Sequence, residues 1–252
     1  MKLAVSNLAW EKPIDEFIFQ TLQKQKIQRI EGVLSKIVDW DNFDDSKILD
    51  YKKMLDENNF FVESVQSIFY NSKVNSLSEI ELVVEHFKKL IRCCQILGVK
   101  IIVLGSPQLR KKVNQERIFE VFKILDLMLS DSEIFLVIEP NSKIYGGDYF
   151  FTLREIIEFL ELGNFKNIQT MIDTHNLILE NLDPIIELKK NFNRISHIHI
   201  SEKNLLPITE ESFHQDFSKT LKMLNYKKIV TYEFKPSENF IQNLETFTKL
   251  YS

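Results

Sequence analysis

Four short apolar runs in the second half of the sequence each lead into a residue type that binds metal ions. These four residues are Glu139, Asp173, His199 and Glu233. The runs cover residues 134–138, 168–172, 195–198 and 229–232. Three carboxylates and one imidazole form an oxygen-rich donor set, which suits hard or borderline divalent ions better than a thiol-rich zinc site would. The pattern predicts a metal site, provided that the fold brings the ends of these runs together.

The same alternation of apolar and amphipathic segments extends over the whole chain and supplies the elements that position those residues. Candidate strands begin near residues 3, 28, 62, 100, 134, 168, 195 and 228. Predicted helices cover residues 14–26, 45–58, 78–97, 115–130, 152–162, 184–192, 213–224 and 239–250. Eight strands that alternate with eight helices predict an α/β fold, a single-domain (β/α)8 TIM barrel over residues 1–252. An open doubly wound sheet is the alternative, but no Gly-x-Gly-x-x-Gly motif follows the first strand.

Residues at the predicted helix ends agree with these boundaries. Ser78 opens a capping-box pattern at the start of the third helix. Gly98 and Gly163 follow the third and fifth helices, where a left-handed residue is expected. Asp183 and Pro184 are predicted to be the N-cap and the first residue of the sixth helix.

Side-chain alternation places the four candidate ligands on one face. Alternate residues of a barrel strand point inward, and the residues that alternate with the ligands are mostly large and apolar, as packing under helices requires. Each ligand also lies at the C-terminal end of its strand, where TIM barrels build active sites. His197 shares the inward direction with His199, but one layer deeper. We expect His199 to be the ligand and His197 to make a structural hydrogen bond.

Five further residues are predicted to contact a substrate. Glu31, Gln66 and Lys235 fall at or just beyond strand ends, and the alternative for each is an ordinary solvated loop residue. Asn141 lies in the long segment 140–149, which is either a lid or a passive surface loop. His175 follows two residues after the Asp173 ligand and is a second-layer group, a substrate contact or a proton carrier; we assign it to substrate binding.

Composition limits the partners and the location. The net charge is −4 and the isoelectric point about 5.8, so no basic excess is available for nucleic acid and we expect none to bind. No apolar run approaches the roughly 20 residues of a membrane span. Cys93 and Cys94 are adjacent in the sequence, and we interpret them as reduced thiols, which favours a cytoplasmic protein. A homo-oligomer is compatible with the sequence.

The chain resembles the xylose isomerase-like TIM barrel superfamily, in particular its sugar phosphate isomerase/epimerase group. The matching segments are 4–10, 64–67, 138–141, 172–176, 197–202 and 232–236. The resemblance implies one divalent metal ion (Mn²⁺, Mg²⁺, Co²⁺ or Zn²⁺) held by Glu139, Asp173, His199 and Glu233. It also implies that Glu139 and Glu233 move protons, as the matching glutamates of the ketose epimerase branch do. His175 departs from that branch, where the histidine follows the aspartate at a spacing of three.

The expected activity is a metal-dependent isomerase or epimerase of carbohydrate metabolism that acts on a sugar or sugar phosphate. A carboxylate would remove the proton next to a carbonyl, and the resulting enediolate would be re-protonated on the other carbon or on the opposite face. Three alternatives stay open: a related sugar or inosose dehydratase, a non-catalytic sugar-binding barrel, and an endonuclease of the apurinic-site type. The endonuclease would need extra histidine ligands at strand ends where Gln66 and Gly105 lie.

Overall fold

The computed structural model describes residues 1–11 and 16–252 and shows a closed barrel of eight parallel strands. Each strand pairs with the next one in the chain, and the last strand pairs with the first. The strands are β1 (Lys2–Ser6), β2 (Arg29–Val33), β3 (Phe61–Gln66), β4 (Ile101–Leu104), β5 (Phe135–Ile138), β6 (Ile168–Asp173), β7 (Ile195–Ile200) and β8 (Ile229–Tyr232). All eight begin within one residue of the predicted positions, so the TIM barrel is confirmed and the open sheet is excluded.

The described residues form nine α-helices, one more than the sequence predicts. They are α1 (Glu16–Lys24), α2 (Asp45–Glu57), α3 (Ile80–Leu97), α4 (Gln115–Met128), α5 (Leu153–Gly163), α6 (Thr174–Leu179), α7 (Pro184–Asn191), α8 (Glu211–Met223) and α9 (Phe240–Tyr251). The predicted start of the first helix, at Ile14, lies outside the described residues. Within the described ranges, no helix is both long enough and apolar enough to cross a membrane.

The additional helix, α6, begins directly where β6 ends. The side chain of Asp173 caps it, because its Oδ1 accepts a hydrogen bond of 2.7 Å from the backbone N–H of Asn176. Six residues are too few to show a helical repeat of apolar positions, so the sequence pattern did not reveal this helix. Its only signal was an aspartate, a favoured N-cap residue, at the end of a strand.

Two of the predicted helix ends are confirmed. Gly98 follows α3 with a left-handed backbone angle, φ +74°. Asp183 caps α7, and its Oδ1 accepts hydrogen bonds from the N–H groups of Ile185 and Ile186. Pro184 is the first residue of that helix, as expected.

The other two predicted ends are wrong. Ser78 does not cap α3, because that helix begins at Ile80 and the hydroxyl of Ser78 instead bonds to the hydroxyl of Ser76. The left-handed residue after α5 is Asn164, with φ +49°, and Gly163 is the last helical residue. Asparagine adopts the left-handed conformation more readily than most residues with a side chain, which explains why the helix includes Gly163 and ends at Asn164.

The packing of apolar residues confirms the predicted alternation along the strands. A small cluster of Val103, Val137 and Met171 lies inside the barrel. A much larger cluster lies between the strands and the helices, and it contains the residues predicted to face outward: Leu136, Ile138, Ile172, Ile198, Ile200, Val230, Tyr232 and Phe234. The barrel interior is therefore apolar over only a short distance, and polar side chains occupy the rest.

The two adjacent cysteines lie on α3 and are buried free thiols. Burial raises the pKa of Cys93 to about 12 and raises the pKa of Cys94 well above its usual value. Both side chains therefore stay protonated at neutral pH and pack as small apolar groups.

Replacement of Gly98 by alanine should lower the free energy of unfolding by about 1 kcal/mol, because a side chain disfavours the left-handed conformation. A Cβ atom at this position would meet no atom within 4 Å, so the loss reports the backbone alone. Denaturant titration measures it. The matched control, Gly98→Asn, should lose less, because asparagine tolerates this conformation. Equal stability of Gly98→Ala and the unaltered protein would contradict the left-handed cap.

Candidate metal centre

The four predicted ligands converge at the C-terminal mouth of the barrel. Glu139 and Glu233 directly follow β5 and β8, Asp173 ends β6, and His199 is the last but one residue of β7. From Nδ1 of His199, the distances are 3.5 Å to Oε1 of Glu139, 3.9 Å to Oδ2 of Asp173 and 3.4 Å to Oε2 of Glu233. One ligand atom from each residue lies within 4.8 Å of all the others.

The charges and unpaired atoms of this cluster fit a divalent cation. Burial, together with the charges of Glu139 and Glu233, raises the pKa of Asp173 to about 7. Nδ1 of His199 is buried, faces the three carboxylates and has no hydrogen-bond partner among the described residues. Carboxylates this close repel one another unless a cation or a proton lies between them. A divalent ion would neutralise that repulsion and bind the ring nitrogen.

Glu31 supports the histidine ligand from below. Its Oε1 lies 2.8 Å from Nε2 of His199, while its Oε2 accepts hydrogen bonds from Nε2 of His197 at 2.8 Å and from the hydroxyl of Ser64 at 2.5 Å. A carboxylate behind a ligating histidine fixes the orientation of the ring and its protonated nitrogen. Glu31 has no exposed surface. The structure therefore describes it better as a support for His199 than as the substrate contact expected from the sequence.

Glu31 lies between two histidines, His197 and His199, in the layer below the carboxylates. Burial would raise the pKa of Glu31, but the charges and hydrogen bonds of His199 and His197 outweigh it and hold the pKa well below its usual value. Glu31, His197 and His199 could themselves group around a metal ion. However, Glu31 and His197 are already bonded to each other, so the upper cluster is the better candidate for a metal site. The predicted structural hydrogen bond of His197 is confirmed.

Asp173 is oriented by two donors that the sequence analysis did not assign. Its Oδ1 accepts from the backbone of Asn176, the bond that caps α6, and its Oδ2 accepts from the hydroxyl of Ser201 at 2.7 Å. Ser201 directly follows β7, so the next strand fixes the carboxylate. Both residues lie in segments that match the family pattern, but spacing alone gives no sign of their hydrogen bonds.

Glu139 is held by Asn141 and by close packing against Gly105. Its Oε2 accepts a hydrogen bond of 3.0 Å from Nδ2 of Asn141. A Cβ atom on Gly105 would lie only 2.3 Å from that same oxygen, so a larger residue there would displace the carboxylate. Asn141 in turn accepts a hydrogen bond from Arg110, a buried residue that the sequence analysis missed because nothing in its segment marks it.

Two cavities open above the cluster and bring in the other predicted substrate contacts. The larger, about 380 Å³, includes Gln66 and Asn141 in its lining. The smaller, about 240 Å³, includes His175 and Lys235. Both cavities contact Glu233 and Tyr145. A substrate placed over the proposed metal would therefore have a lobe of the pocket on each side of Tyr145.

The segment after β5, residues 140–150, is attached on both sides in this structure. Toward the loop after β4, the backbone N–H of Lys112 donates to Oδ2 of Asp148 at 2.6 Å, and the Tyr149 hydroxyl donates to a backbone carbonyl at 2.7 Å. Toward α6, the hydroxyl of Ser142 donates to Oε1 of Glu180 at 2.7 Å. These bonds hold Tyr145 over the pocket. A lid motion would have to break them.

Comparison with known proteins agrees with this geometry. A sequence model described as xylose isomerase-like TIM barrel matches residues 26–250. The chain belongs to this family. No curated protein sequence matches it. Members of the family share the barrel described above, so the family accounts for the fold but leaves the activity of this chain open.

Solved structures with the same fold carry several chemistries. A 3-keto-D-glucoside 4-epimerase from E. coli superposes with a TM-score of 0.76 at 16% identity, covering 99% of this chain and 98% of the other. An AP endonuclease of family 2 from Brucella melitensis gives 0.75 at 14% identity, covering 99% of both chains. A probable 3-DHS dehydratase from Bacillus anthracis gives 0.73 at 13% identity, covering 99% and 98%. At these identities the likeness shows the fold alone.

The cluster generates a prediction about metal binding. The purified protein should bind about one divalent ion per chain, because four donors surround one position. Removal of a ligand in Asp173→Ala or His199→Ala should weaken binding by more than the roughly 10–100-fold typical of second-layer partners. The control His197→Ala should lose less. Titration calorimetry measures all three, and a selective loss in His197→Ala would contradict the assigned ligands.

Proposed function

We propose that this protein is a metal-dependent isomerase or epimerase of a sugar or sugar-like substrate, which transfers a proton next to a carbonyl group. The observation that carries the proposal is the position of the two glutamates. Glu139 and Glu233 both line the larger cavity, and both approach the same nitrogen of His199. A substrate in that cavity would therefore have a carboxylate and the proposed metal ion next to the same carbon atoms.

The donor set supports the proposed choice of metal ligands. Glu139, Asp173, His199 and Glu233 would hold one divalent ion. When bound, the ion would supply Lewis-acid stabilisation of the negative charge that develops on the substrate oxygens. Fixed positive charge in a water-poor site is among the larger contributions to catalysis, because it needs no reorganisation during the reaction.

The proton is moved by this chain's own carboxylates. A glutamate removes the proton from the carbon next to the carbonyl, which leaves an enediolate on the substrate. Return of a proton to the neighbouring carbon gives an isomer, and return to the same carbon from the other face gives an epimer. Gln66 in the larger lobe and His175 and Lys235 in the smaller lobe would bind the substrate's outer hydroxyl or phosphate groups.

Two details weigh against the endonuclease alternative. Gln66 ends β3 and Gly105 follows β4, at positions where the endonuclease would need histidines. Gly105 also lies directly against Glu139. The side chain of Gln66 is already engaged, since its Nε2 donates to the hydroxyl of Ser6 at 2.7 Å. A dehydratase would use the same first proton transfer and then expel a hydroxyl group, so only product analysis separates it from an epimerase.

Proton transfer predicts incorporation of solvent deuterium. A ketose, ketose phosphate, inosose or keto-glycoside that is a true substrate should gain deuterium on a carbon next to its carbonyl when incubated with the protein in D₂O. Glu139→Gln and Glu233→Gln keep the size of the side chain but remove its basic charge. At saturating metal, each should lose far more kcat than substrate affinity, the pattern for a group that acts in the transition state.

Three outcomes would contradict the proposal. Full activity of both glutamine variants would exclude proton transfer by these residues. A ligand that binds at the metal but never exchanges or changes would favour the sugar-binding barrel. Cleavage of duplex DNA at abasic sites, together with tight DNA binding at physiological salt, would favour the nuclease.

A further inference from the structure

Arg110 is a buried charge next to the proposed metal centre. It lies in the loop after β4, and its side chain has no exposed surface. Its Nη2 donates a hydrogen bond to Oδ1 of Asn141, and its guanidinium lies 5.4 Å from the ring centre of Phe150. Its Nε and Nη1 have no hydrogen-bond partner within the described part of the chain. A buried arginine with so few partners is costly, which suggests that its one strong contact has a purpose.

Neighbouring carboxylates offset part of that cost. Burial lowers the pKa of Arg110 to about 10, while the charges of Glu139 and Glu155 act in the opposite direction. Of the two carboxylates, Glu139 has the larger effect on the pKa of Arg110, although Arg110 makes no hydrogen bond to it. The arginine and the carboxylate are joined through a single side chain, that of Asn141.

The chemistry of the amide makes this link directional. An arginine has only donors, so it can bind Asn141 only through the amide oxygen. That leaves the amide nitrogen on the other side, where it donates to Oε2 of Glu139 at 3.0 Å. The backbone N–H of Asn141 also donates to the carbonyl of Phe150 at 3.0 Å, which fixes the position of the residue. Arg110 therefore determines which end of the amide faces the glutamate.

The two glutamates of the centre differ in this respect. Oε2 of Glu139 accepts from Asn141, which leaves Oε1 to face His199. The carboxylate of Glu233 has no hydrogen-bond donor among the residues that the structure describes. Its Oε2 lies 3.4 Å from Nδ1 of His199, and the residue borders both lobes of the pocket. A side-chain amide therefore fixes the orientation of Glu139, and no side-chain donor within the described residues does the same for Glu233.

We infer that Arg110 is a positioning residue that acts through Asn141 to hold Glu139 as a metal ligand through one oxygen. This inference rests on the proposed function. It assigns Arg110 no contact with the substrate. It explains why Glu139 presents one oxygen, Oε1, to the proposed metal site.

The test measures metal binding without any substrate. Arg110→Met keeps most of the side-chain volume but removes the charge and the donors. Titration with Co²⁺ should show a loss of affinity of roughly 10–100-fold. The absorption bands of the bound Co²⁺ should also change, because a released Glu139 can bind through both oxygens. Arg110→Lys keeps a positive donor and should recover part of both properties.

A double variant separates the link from a general effect on folding. Asn141→Leu removes the amide that joins Arg110 to Glu139. Adding Arg110→Met to this variant should therefore cause no further loss of metal affinity. Two independent sites would instead show additive losses. The matched control is Arg194→Met. Arg194 precedes β7 at the opposite end of the barrel, and its side chain is 57% exposed. This control should bind Co²⁺ with unaltered affinity and spectrum.

The outcomes separate a failure of the positioning role of Arg110 from a failure of the proposed function. If Arg110→Met folds and binds Co²⁺ with unaltered affinity and spectrum, the positioning role is wrong while the proposed function stands. Additive losses of Co²⁺ affinity in the double variant would also overturn the positioning role. If the unaltered protein binds no divalent ion, the proposed function fails, and the role of Arg110 fails with it.

Discussion

Repulsion among three buried carboxylates is the constraint on which the arrangement of this barrel's mouth depends. Glu139, Asp173 and Glu233 lie against one ring nitrogen of His199. Burial and the charges of Glu139 and Glu233 raise the pKa of Asp173. A divalent cation resolves this conflict in a way that a proton cannot, because it satisfies several oxygens and the imidazole nitrogen at once.

The surrounding layers hold three of the four donors in advance, so that a bound cation would not have to organise them. Glu31 fixes His199 from below, Ser201 and the first turn of α6 fix Asp173, and Asn141 fixes Glu139. Donors held in advance lose little conformational freedom when a ligand binds. Glu233 alone lacks such a support in the described residues.

Most of the fold could be predicted from the sequence, because each strand is a short apolar run followed by a helical pattern of regular length. The ligands could be predicted for the same reason, since alternation along the strand and position at its end are local properties. Contacts between distant segments could not. Glu31 and His197 are far apart in the sequence, and nothing local shows that they bond. Arg110 is likewise an unremarkable loop residue until the fold encloses it.

The account is tested most directly by an anomalous-scattering measurement on crystals grown with Mn²⁺. It predicts one strong peak per chain, within coordination distance of Nδ1 of His199 and of the carboxylates of Glu139, Asp173 and Glu233. Absence of any peak at the barrel mouth would contradict the account. A peak against Glu31 and His197 in the layer below would contradict it equally, because the ion would then occupy the groups assigned here as supports.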